Sequence, residues 1–398
     1  MDNLKTRIAE LAKKYFNEAI EIRRHLHAHP ELSYQEFETA AFVRKKLDTW
    51  GIPHKTMAVT GVVGWIEGKN PSSRVVALRA DMDALPIQEE NNVDYKSTKP
   101  GIMHACGHDV HTTCLLMAAK ILNELKSEWE GTVKLIFQPG EEKNPGGASL
   151  LIKEGVLKDP APSCIVGLHV HPQMEVGKIS FRPGQNMASA DEIYITVKSS
   201  GGHAAAPHLT TDTILVASHI VIALQQVISR NNNPFSPSVL SISAINGGYT
   251  TNVIPGEVKM MGTFRAMDEE WRFKAHELIK KITKGVAESM GAEVDVHIDV
   301  GYPSVFNHEG LTAKVVELAT QYYDPEKIGV TEMRMGAEDF GYYCREIPGC
   351  FFRLGTKNES MGITSGVHTP VFNVDESAIE TGIGLMAYFG ASLNFKAD

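Results

Sequence analysis

Two patterns of apolar residues alternate along the chain and limit the folds that it can adopt. From about residue 58 to 182, short runs rich in β-branched residues are separated by helical stretches. Such alternation is typical of an α/β sheet that helices cover, with mostly parallel strands. We expect strands at Val59–Glu67, Arg74–Arg79, Thr132–Gln138 and Cys164–His169, and helices at Asp109–Leu125 and Gly147–Gly155.

The second pattern occupies about residues 190 to 300 and has the order strand, helix, strand, strand, helix, strand. This βαββαβ order is that of a ferredoxin-like α+β fold, which is complete in itself. Its elements are expected at Glu192–Lys198, Asp212–Arg230, Ser238–Ile245, Glu257–Arg265, Asp268–Met290 and Glu293–Val300. Because the first pattern resumes afterwards, we predict a larger α/β domain formed by residues 1–187 and 301–398, with a smaller domain inserted at 188–300.

The composition excludes several classes of protein. The chain has 398 residues, enough for two domains, and its 43% apolar and 22% charged residues are typical of a globular protein. A net charge of −9 without a long basic tract argues against nucleic acid and anionic membranes as partners. Five scattered cysteines favour a reducing compartment.

The chain offers no clear targeting or membrane segment. Charged residues interrupt the first 24 positions, which argues against a signal peptide. The longest uncharged run, 213–229, is short for a membrane span and is better explained as a buried or half-buried helix. We therefore expect a cytoplasmic protein.

The segment His104–Asp109 brings a thiol and an imidazole, Cys106 and His108, into one loop. Sulfur and imidazole nitrogen are the ligands that Zn²⁺ and similar cations prefer. A lone cysteine is more often a small buried apolar residue. The pair therefore indicates half of a metal site, and the other ligands have to come from elsewhere in the chain.

Further candidate ligands follow the ends of three predicted strands: Asp81 with Asp83, Glu141 with Glu142, and His169. Each group alone is better explained as a turn, a cap or a core residue. In an open α/β sheet, however, the carboxyl ends of the strands meet at one rim, where ligands bind. The coincidence of all these groups with the Cys106 loop predicts a metal site. One of the two glutamates can bind metal while the other acts as a base, and the residues alone leave open which does which.

Ten motifs follow one another along nearly the whole chain: Arg23–Ser33, Arg79–Pro86, His104–Asp109, Gln138–Glu142, Gly167–Pro172, Gly202–His208, Thr251–Pro255, Gly262–Arg265, Met335–Phe340 and His368–Pro370. Together they resemble the motifs of the bacterial and plant N-acyl-amino-acid amidohydrolases. This group includes hippurate hydrolases and auxin-conjugate hydrolases, within the aminoacylase/carboxypeptidase clan of dinuclear metallopeptidases.

The resemblance implies two divalent metal ions per subunit, zinc or manganese, with nickel or cobalt also possible. The Glu141 side chain would act as general base, and Asp83 would orient a ligand. Asp81 lies where other branches of the clan have a metal-binding histidine, so its role is open. The implied metal ligands are Cys106, which would bridge the two ions, His108, Glu142, His169 and His368.

For the inserted domain, the resemblance implies a lid that also forms a homodimer. There, His203 would stabilise the oxyanion, and Asn252 and Arg265 would hold the substrate carboxylate. Without the resemblance, these would be ordinary surface residues. The triple His25, His27 and His29 is explained better by capping and packing at a helix end than by metal binding.

The expected function is that of a metal-dependent amidohydrolase, or aminoacylase, which cleaves N-acyl-L-amino acids into a carboxylate and a free amino acid. A water activated by the metals would be the nucleophile. A dipeptidase or carboxypeptidase of the same clan is the main alternative. A non-catalytic ligand-binding protein and a two-metal phosphoesterase are further alternatives, and a substrate panel separates all four.

Overall fold

In a computed structural model that describes residues 2–396, the chain forms ten α-helices and sixteen strands. The end residues of the predicted larger domain, 1, 397 and 398, lie outside the described part. The helices are α1 (Asp2–Lys14), α2 (Phe16–Ala28), α3 (Phe37–Thr49), α4 (His108–Glu124), α5 (Gly147–Lys153), α6 (Thr213–Gln226), α7 (Glu269–Ser289), α8 (Glu309–Tyr322), α9 (Phe340–Glu346) and α10 (Ala378–Ser392).

The strands are β1 (His54–Met57), β2 (Gly61–Glu67), β3 (Val75–Asp81), β4 (Thr132–Gln138), β5 (Cys164–Glu175), β6 (Ile179–Phe181), β7 (Gly184–Met187), β8 (Asp191–Lys198), β9 (Gly202–His203), β10 (Ser238–Asn246), β11 (Val253–Ile254), β12 (Glu257–Ala266), β13 (Glu293–Val300), β14 (Val305–Asn307), β15 (Ile328–Val330) and β16 (Gly349–Lys357).

The described residues form two units. Unit 1 comprises residues up to 184 with 306–332 and from 339 onward, and unit 2 comprises 185–305 with 333–338. The stretch 333–338 joins unit 2 because the Arg334 backbone exchanges hydrogen bonds with Asn186 and Ala188. The catalytic and lid roles assigned to 1–187, 188–300 and 301–398 stay predictions.

Unit 1 contains an eight-stranded sheet in the order β1-β2-β4-β3-β5-β16-β6-β15. Its centre, β4-β3-β5-β16, is parallel. Antiparallel pairs at β1-β2, β2-β4 and β16-β6 make the whole sheet mixed. Gly167 of β5 faces Phe340 of α9, whereas Leu168 faces α10 near Gly382, so these helices cover opposite faces. The predicted helix-covered α/β class is confirmed.

Unit 2 contains a four-stranded antiparallel sheet in the order β10-β12-β8-β13. With α6 and α7, it has the predicted βαββαβ sequence of elements. Burial alternates along β8, because the helices cover only one face of the sheet. The core between them includes Ile193, Ile220 and Ile279.

Two predicted elements differ from those observed by more than two residues at one end. The strand expected at Cys164–His169 continues to Glu175, because its pairing with β16 outlasts its pairing with β3. The helix expected at Asp212–Arg230 ends as an α-helix at Gln226 and continues as a π-helical turn over 227–231. Within the described residues, the stretch 213–231 is long and apolar enough to span a membrane by length and composition alone, and about a third of it is buried.

Candidate metal centre

The candidate site lies at one rim of the unit 1 sheet. Asp81 and Gln138 end the parallel strands β3 and β4, and His108 begins helix α4. The pairing of β5 with β3 stops at Gly167, so His169 follows the same rim although its strand continues. Because neighbouring parallel strands end together, side chains from distant parts of the chain meet here.

The structure brings all five expected ligands together in unit 1. The Cys106 sulfur lies 3.5 Å from His169 Nε2, and His368 Nε2 lies 3.2 Å from Glu142 Oε1. Among the described residues, three groups with ligand atoms within 4.8 Å of one another contain at least two of these ligands: Cys106 with His108 and His169, Cys106 with Glu142 and His368, and His108 with Glu141 and Glu142. Cys106, His108 and Glu142 each belong to two of these groups, so the groups overlap, and the bridging role of Cys106 stays a prediction.

The turn before α4 depends on Gly107. Its φ of +86° is unfavourable for other residues, and a Cβ atom there would lie 2.5 Å from the Val170 side chain. This close approach lets Cys106 and His108 face β5.

Hydrogen bonds fix which nitrogen of each histidine faces the site. His169 Nδ1 donates to the Val170 carbonyl at 2.7 Å, and His108 Nδ1 donates to Asp83 Oδ1 at 3.3 Å. Both rings therefore present Nε2 to the centre, the usual arrangement of metal-binding histidines. His108 Nε2 is buried and has no hydrogen-bond partner.

Asp83 holds the loop that carries the two glutamates. Its carboxylate accepts hydrogen bonds from the backbone N–H of Glu141 at 3.1 Å and of Glu142 at 2.9 Å, as well as from Ser33 Oγ at 2.6 Å. The same carboxylate orients His108, so one buried side chain sets both the loop and a candidate ligand.

The electrostatics of the site fit a cation. Burial lowers the pKa of His108, but the carboxylates of Asp81, Asp83 and Glu142 outweigh it and raise that pKa to about 10. Burial, followed by the charges of the glutamates, raises the pKa of the Cys106 thiol well above its usual value. A divalent cation would replace the proton on His108, offset the carboxylates and favour the thiolate. It would also satisfy His108 Nε2, which is buried without a hydrogen-bond partner.

His368 reaches the rim from the C-terminal part of unit 1 in an unusual backbone conformation. Its φ is +61°, and its backbone N–H donates to the Ala105 carbonyl at 2.7 Å. Positive φ is unfavourable for residues other than glycine and concentrates at functional sites.

The carboxylate of Asp81, whose role the sequence leaves open, is hydrogen-bonded to other side chains. It accepts hydrogen bonds from Arg79 Nη1 and from His111 Nδ1, both at 2.6 Å. His111 Nε2 in turn accepts the N–H of Val170, next to His169, at 2.9 Å. The sequence analysis assigned no role to His111, although its spacing of three from His108 on one helix places both on the same face.

Of the three N-terminal histidines, His27 takes part in a separate network. The buried His27 bonds Asp109 at 2.8 Å and Glu89 at 3.1 Å, and Arg23 bonds Asp109 at 2.9 Å. Among the described residues, His25, His27 and His29 belong to no group that could hold a metal.

The residue predicted to stabilise the oxyanion and the two predicted to bind the substrate carboxylate all lie in unit 2. His203 and Asn252 are neighbours on the β9-β11 ribbon, where the Ala204 N–H donates to the Asn252 carbonyl at 3.0 Å. Arg265 lies on β12, and its Nε donates to Thr263 Oγ1 at 3.2 Å. Their predicted roles stay predictions.

A model of peptidase family M20/M25/M40 matches residues 77–391. The chain belongs to this family. The expectation of a hydrolase is thereby confirmed at the level of the family.

Relatives of this M20/M25/M40 member cover nearly its whole length. The N-acetyl-L-cysteine deacetylase of Bacillus subtilis (strain 168) is 40% identical over 365 residues, which are 90% of this chain and 84% of the relative. A structure from methicillin resistant Staphylococcus aureus matches with a TM-score of 0.92 at 33% identity, over 97% of this chain and 98% of that one. The YXEP protein of Bacillus subtilis, described as a dinuclear metal binding peptidase, matches with a TM-score of 0.83 at 34% identity, over 95% and 98%.

Proposed function

We propose that this protein is an amidohydrolase that cleaves N-acyl-L-amino acids with two divalent metal ions bound in unit 1. The convergence of sulfur, imidazole and carboxylate donors around Cys106, with Glu141 beside them, carries this proposal. A relative named as a deacetylase and another described as a dinuclear metal binding peptidase support it. The hippurate or auxin-conjugate type of substrate, within this class, rests on the resemblance of the motifs.

The donors that would hold the ions are Cys106, His108, Glu142, His169 and His368. Ions bound there would polarise the amide carbonyl and lower the pKa of a water. Glu141 is buried, its backbone is fixed by Asp83, and its Oε2 lies 4.0 Å from His108 Nε2. Its carboxylate would take the proton of the attacking water and give it to the departing amine, as the C–O bond forms and the C–N bond breaks.

For unit 2, we propose that His203 stabilises the oxyanion and that Asn252 and Arg265 bind the substrate carboxylate. The Ala205 N–H donates to His203 Nδ1 at 3.0 Å, which places the proton of the neutral ring on Nε2. Nε2–H would then be the donor toward developing negative charge. The guanidinium of Arg265 suits a carboxylate because it can form paired charge-assisted bonds.

We also propose a cytoplasmic homodimer that forms through unit 2. The outer face of α6 exposes Ile214, Leu215 and Ile222, the last with 69% of its surface accessible. An exposed apolar face of this kind is typical of a protein interface. The neighbouring strand β10 is at the edge of its sheet and could pair with a second copy.

The deciding experiment combines metal analysis with a substrate panel. Protein purified without added metal, then supplied with each candidate ion, should bind two ions per chain and hydrolyse acetyl- or benzoyl-amino acids faster than dipeptides or phosphodiesters. In Glu141→Gln, the metal content should stay the same while kcat falls by about 10²–10⁴, the usual contribution of a general base. Preference for dipeptides would identify a dipeptidase, and a fully active Glu141→Gln would contradict the assigned base.

A further inference from the structure

The two glutamates of the proposed centre lie on a loop, residues 139–146, between β4 and α5. On its inner side, Asp83 holds the backbone N–H groups of Glu141 and Glu142. On its other side, the loop contacts two residues that follow α2, Tyr34 and Glu36. The loop is therefore held from both sides, and the second side consists of residues that directly follow the Arg23–Ser33 motif and have no predicted role.

Glu36 is fully buried and holds the start of the loop. Its Oε1 accepts hydrogen bonds from the backbone N–H of Gly140 at 2.7 Å and of Tyr34 at 2.9 Å, and its Oε2 accepts one from Thr60 Oγ1 at 2.6 Å. Gly140 is directly before Glu141 and has a φ of +56°. The carboxylate thus fixes an unfavourable backbone turn next to the proposed base.

Tyr34 holds the middle and the end of the same loop. Its hydroxyl donates to the Lys143 carbonyl at 2.6 Å and accepts the Gly146 N–H at 3.0 Å. Its ring packs against Gly140, where a Cβ atom would lie 2.3 Å from the ring. Tyr34 itself has a φ of +66°, an unfavourable conformation that residues at functional sites adopt more often than others.

We propose that Tyr34 and Glu36 are positioning residues that fix Glu141 and Glu142 in the geometry needed for catalysis and metal binding. This inference rests on the proposed function, because positioning the loop matters only if Glu141 is the general base and Glu142 is a metal ligand. Two neighbouring carboxylates in a buried site repel each other, so a loop free on one side would let them move apart. A displacement of about 1 Å in such a site can lower the rate about 100-fold.

A purely structural role explains Glu36 poorly. All three of its donors are neutral groups, and burial, reinforced by the charge of Asp83, raises its pKa to about 7. An apolar residue would fill a buried position without the free-energy cost of removing a carboxylate from water. A polar side chain is needed here because Glu36 accepts three hydrogen bonds, two of them from the backbone N–H groups of Tyr34 and Gly140.

The test uses the full chain and measures metal binding apart from turnover. In Glu36→Ala and Tyr34→Phe, we expect the affinity for one of the two ions, determined with Zn²⁺ and a competing chelator, to fall about 10-fold or more. For variants of residues that support metal ligands, losses of about 10–100-fold are usual. The kcat for the best acyl amino acid should fall with little change in KM, and Glu36→Gln should restore both quantities, because its amide oxygen can accept both backbone hydrogen bonds.

Glu31→Ala is the matched control for stability. The Glu31 side chain also accepts two backbone N–H groups, those of Glu38 and Thr39, but it does so at the start of α3. The Glu31→Ala variant should therefore have a lower Tm than the wild type but the same metal affinity and kcat. If Glu36→Ala does not fold, Tyr34→Phe, which removes a single oxygen atom, keeps the test intact.

The inference is overturned if the Tyr34 and Glu36 variants lower Tm like Glu31→Ala but retain the affinity for both ions and kcat. If the wild type hydrolyses no acyl amino acid, the proposed function is overturned. The inference still stands in that case if the variants bind an ion more weakly than the wild type does. Normal metal affinity together with normal kcat, in variants of a protein that is active on acyl amino acids, would reject the positioning role alone.

Discussion

Single residues in the candidate centre are directed by neighbours that would not themselves touch a metal. The ring of His169 is oriented by the Val170 carbonyl, and the Val170 N–H is held by His111. The His111 ring is in turn held by the carboxylate of Asp81. Because Asp81 accepts Nδ1–H, His111 must be the neutral tautomer with its Nε2 lone pair toward Val170. Burial, as the main cause, lowers the pKa of His111 and favours that neutral form.

Two substitutions of His111 separate its two hydrogen bonds. A glutamine can replace Nε2 as the acceptor for Val170, whereas an asparagine can replace Nδ1 as the donor to Asp81. If His111 acts on His169 through Val170, His111→Gln should retain metal affinity and His111→Asn should lose about 10-fold or more. Chelator competition measures the affinity, and melting curves control for folding. Equal metal affinity in both variants would contradict this route.

Glu36 gives the protein a pH dependence that can be calculated in sign. Its folded pKa is about 7, against an ordinary value of 4.5, because burial and Asp83 disfavour its ionised form. Between pH 4.5 and about 7, Glu36 therefore keeps its proton in the folded state but has released it in the unfolded state. Its contribution to the free energy of unfolding falls as pH rises from about 4.5 to 7, by about 3 kcal/mol in total, and is constant above that range.

Glu36→Gln, which keeps hydrogen-bonding capacity but does not titrate, isolates this contribution. The free energy of unfolding of the wild type minus that of the variant, from urea titrations at several pH values, should decrease across that window. Taking this difference cancels the pH dependence of stability that comes from other carboxylates and has the opposite sign. Asp109 is one of them: burial raises its pKa, but Arg23 and His27 outweigh burial and hold that pKa well below its usual range. A difference that is independent of pH would show that Glu36 ionises normally in the folded protein.

At the scale of elements, the sequence predicted what local periodicity determines. The bounds of β4 and β13 were predicted to the residue, and α4 to within one residue at each end, because alternating or helical patterns mark them. The extension of β5 could not be predicted, because it depends on pairing with β16, whose Lys357 lies opposite Glu175 although the two are far apart in the chain. For the same reason, the candidate ligands could be predicted from motifs and strand ends. The roles of Tyr34, Glu36 and His111 could not, because they come from contacts that leave no local pattern in the sequence.

Helix α6 permits a test of the proposed dimer at this scale. Ile222→Lys places a charge on its exposed apolar face and should convert a dimer into a monomer in sedimentation equilibrium, because a buried unpaired charge is costly in an interface. Met261→Lys is the matched control. It adds the same charge at another exposed position of unit 2, on β12, and should leave the dimer intact. A wild type that sediments as a monomer, or an Ile222→Lys that stays dimeric, would reject α6 as the interface.

At the scale of the whole molecule, the division into two units predicts an uneven response to metal removal. All candidate ligands lie in unit 1, whereas unit 2 has a separate apolar core. Each bound ion stabilises the folded state by about 3 kcal/mol when its free concentration is about 100 times its Kd. Without the ions, the buried carboxylates around His108 also lose their compensating charge.

Treatment with a chelator should therefore lower Tm and increase hydrogen exchange in the segments 105–111 and 139–142, while amides of β8 and β12 keep their protection. Cys106→Ala supplies the control, since a variant without the proposed bridging ligand should have a lower Tm from the start and respond little to the chelator. Equal loss of protection in both units would show that they unfold together, and no change in Tm would contradict a metal centre in unit 1.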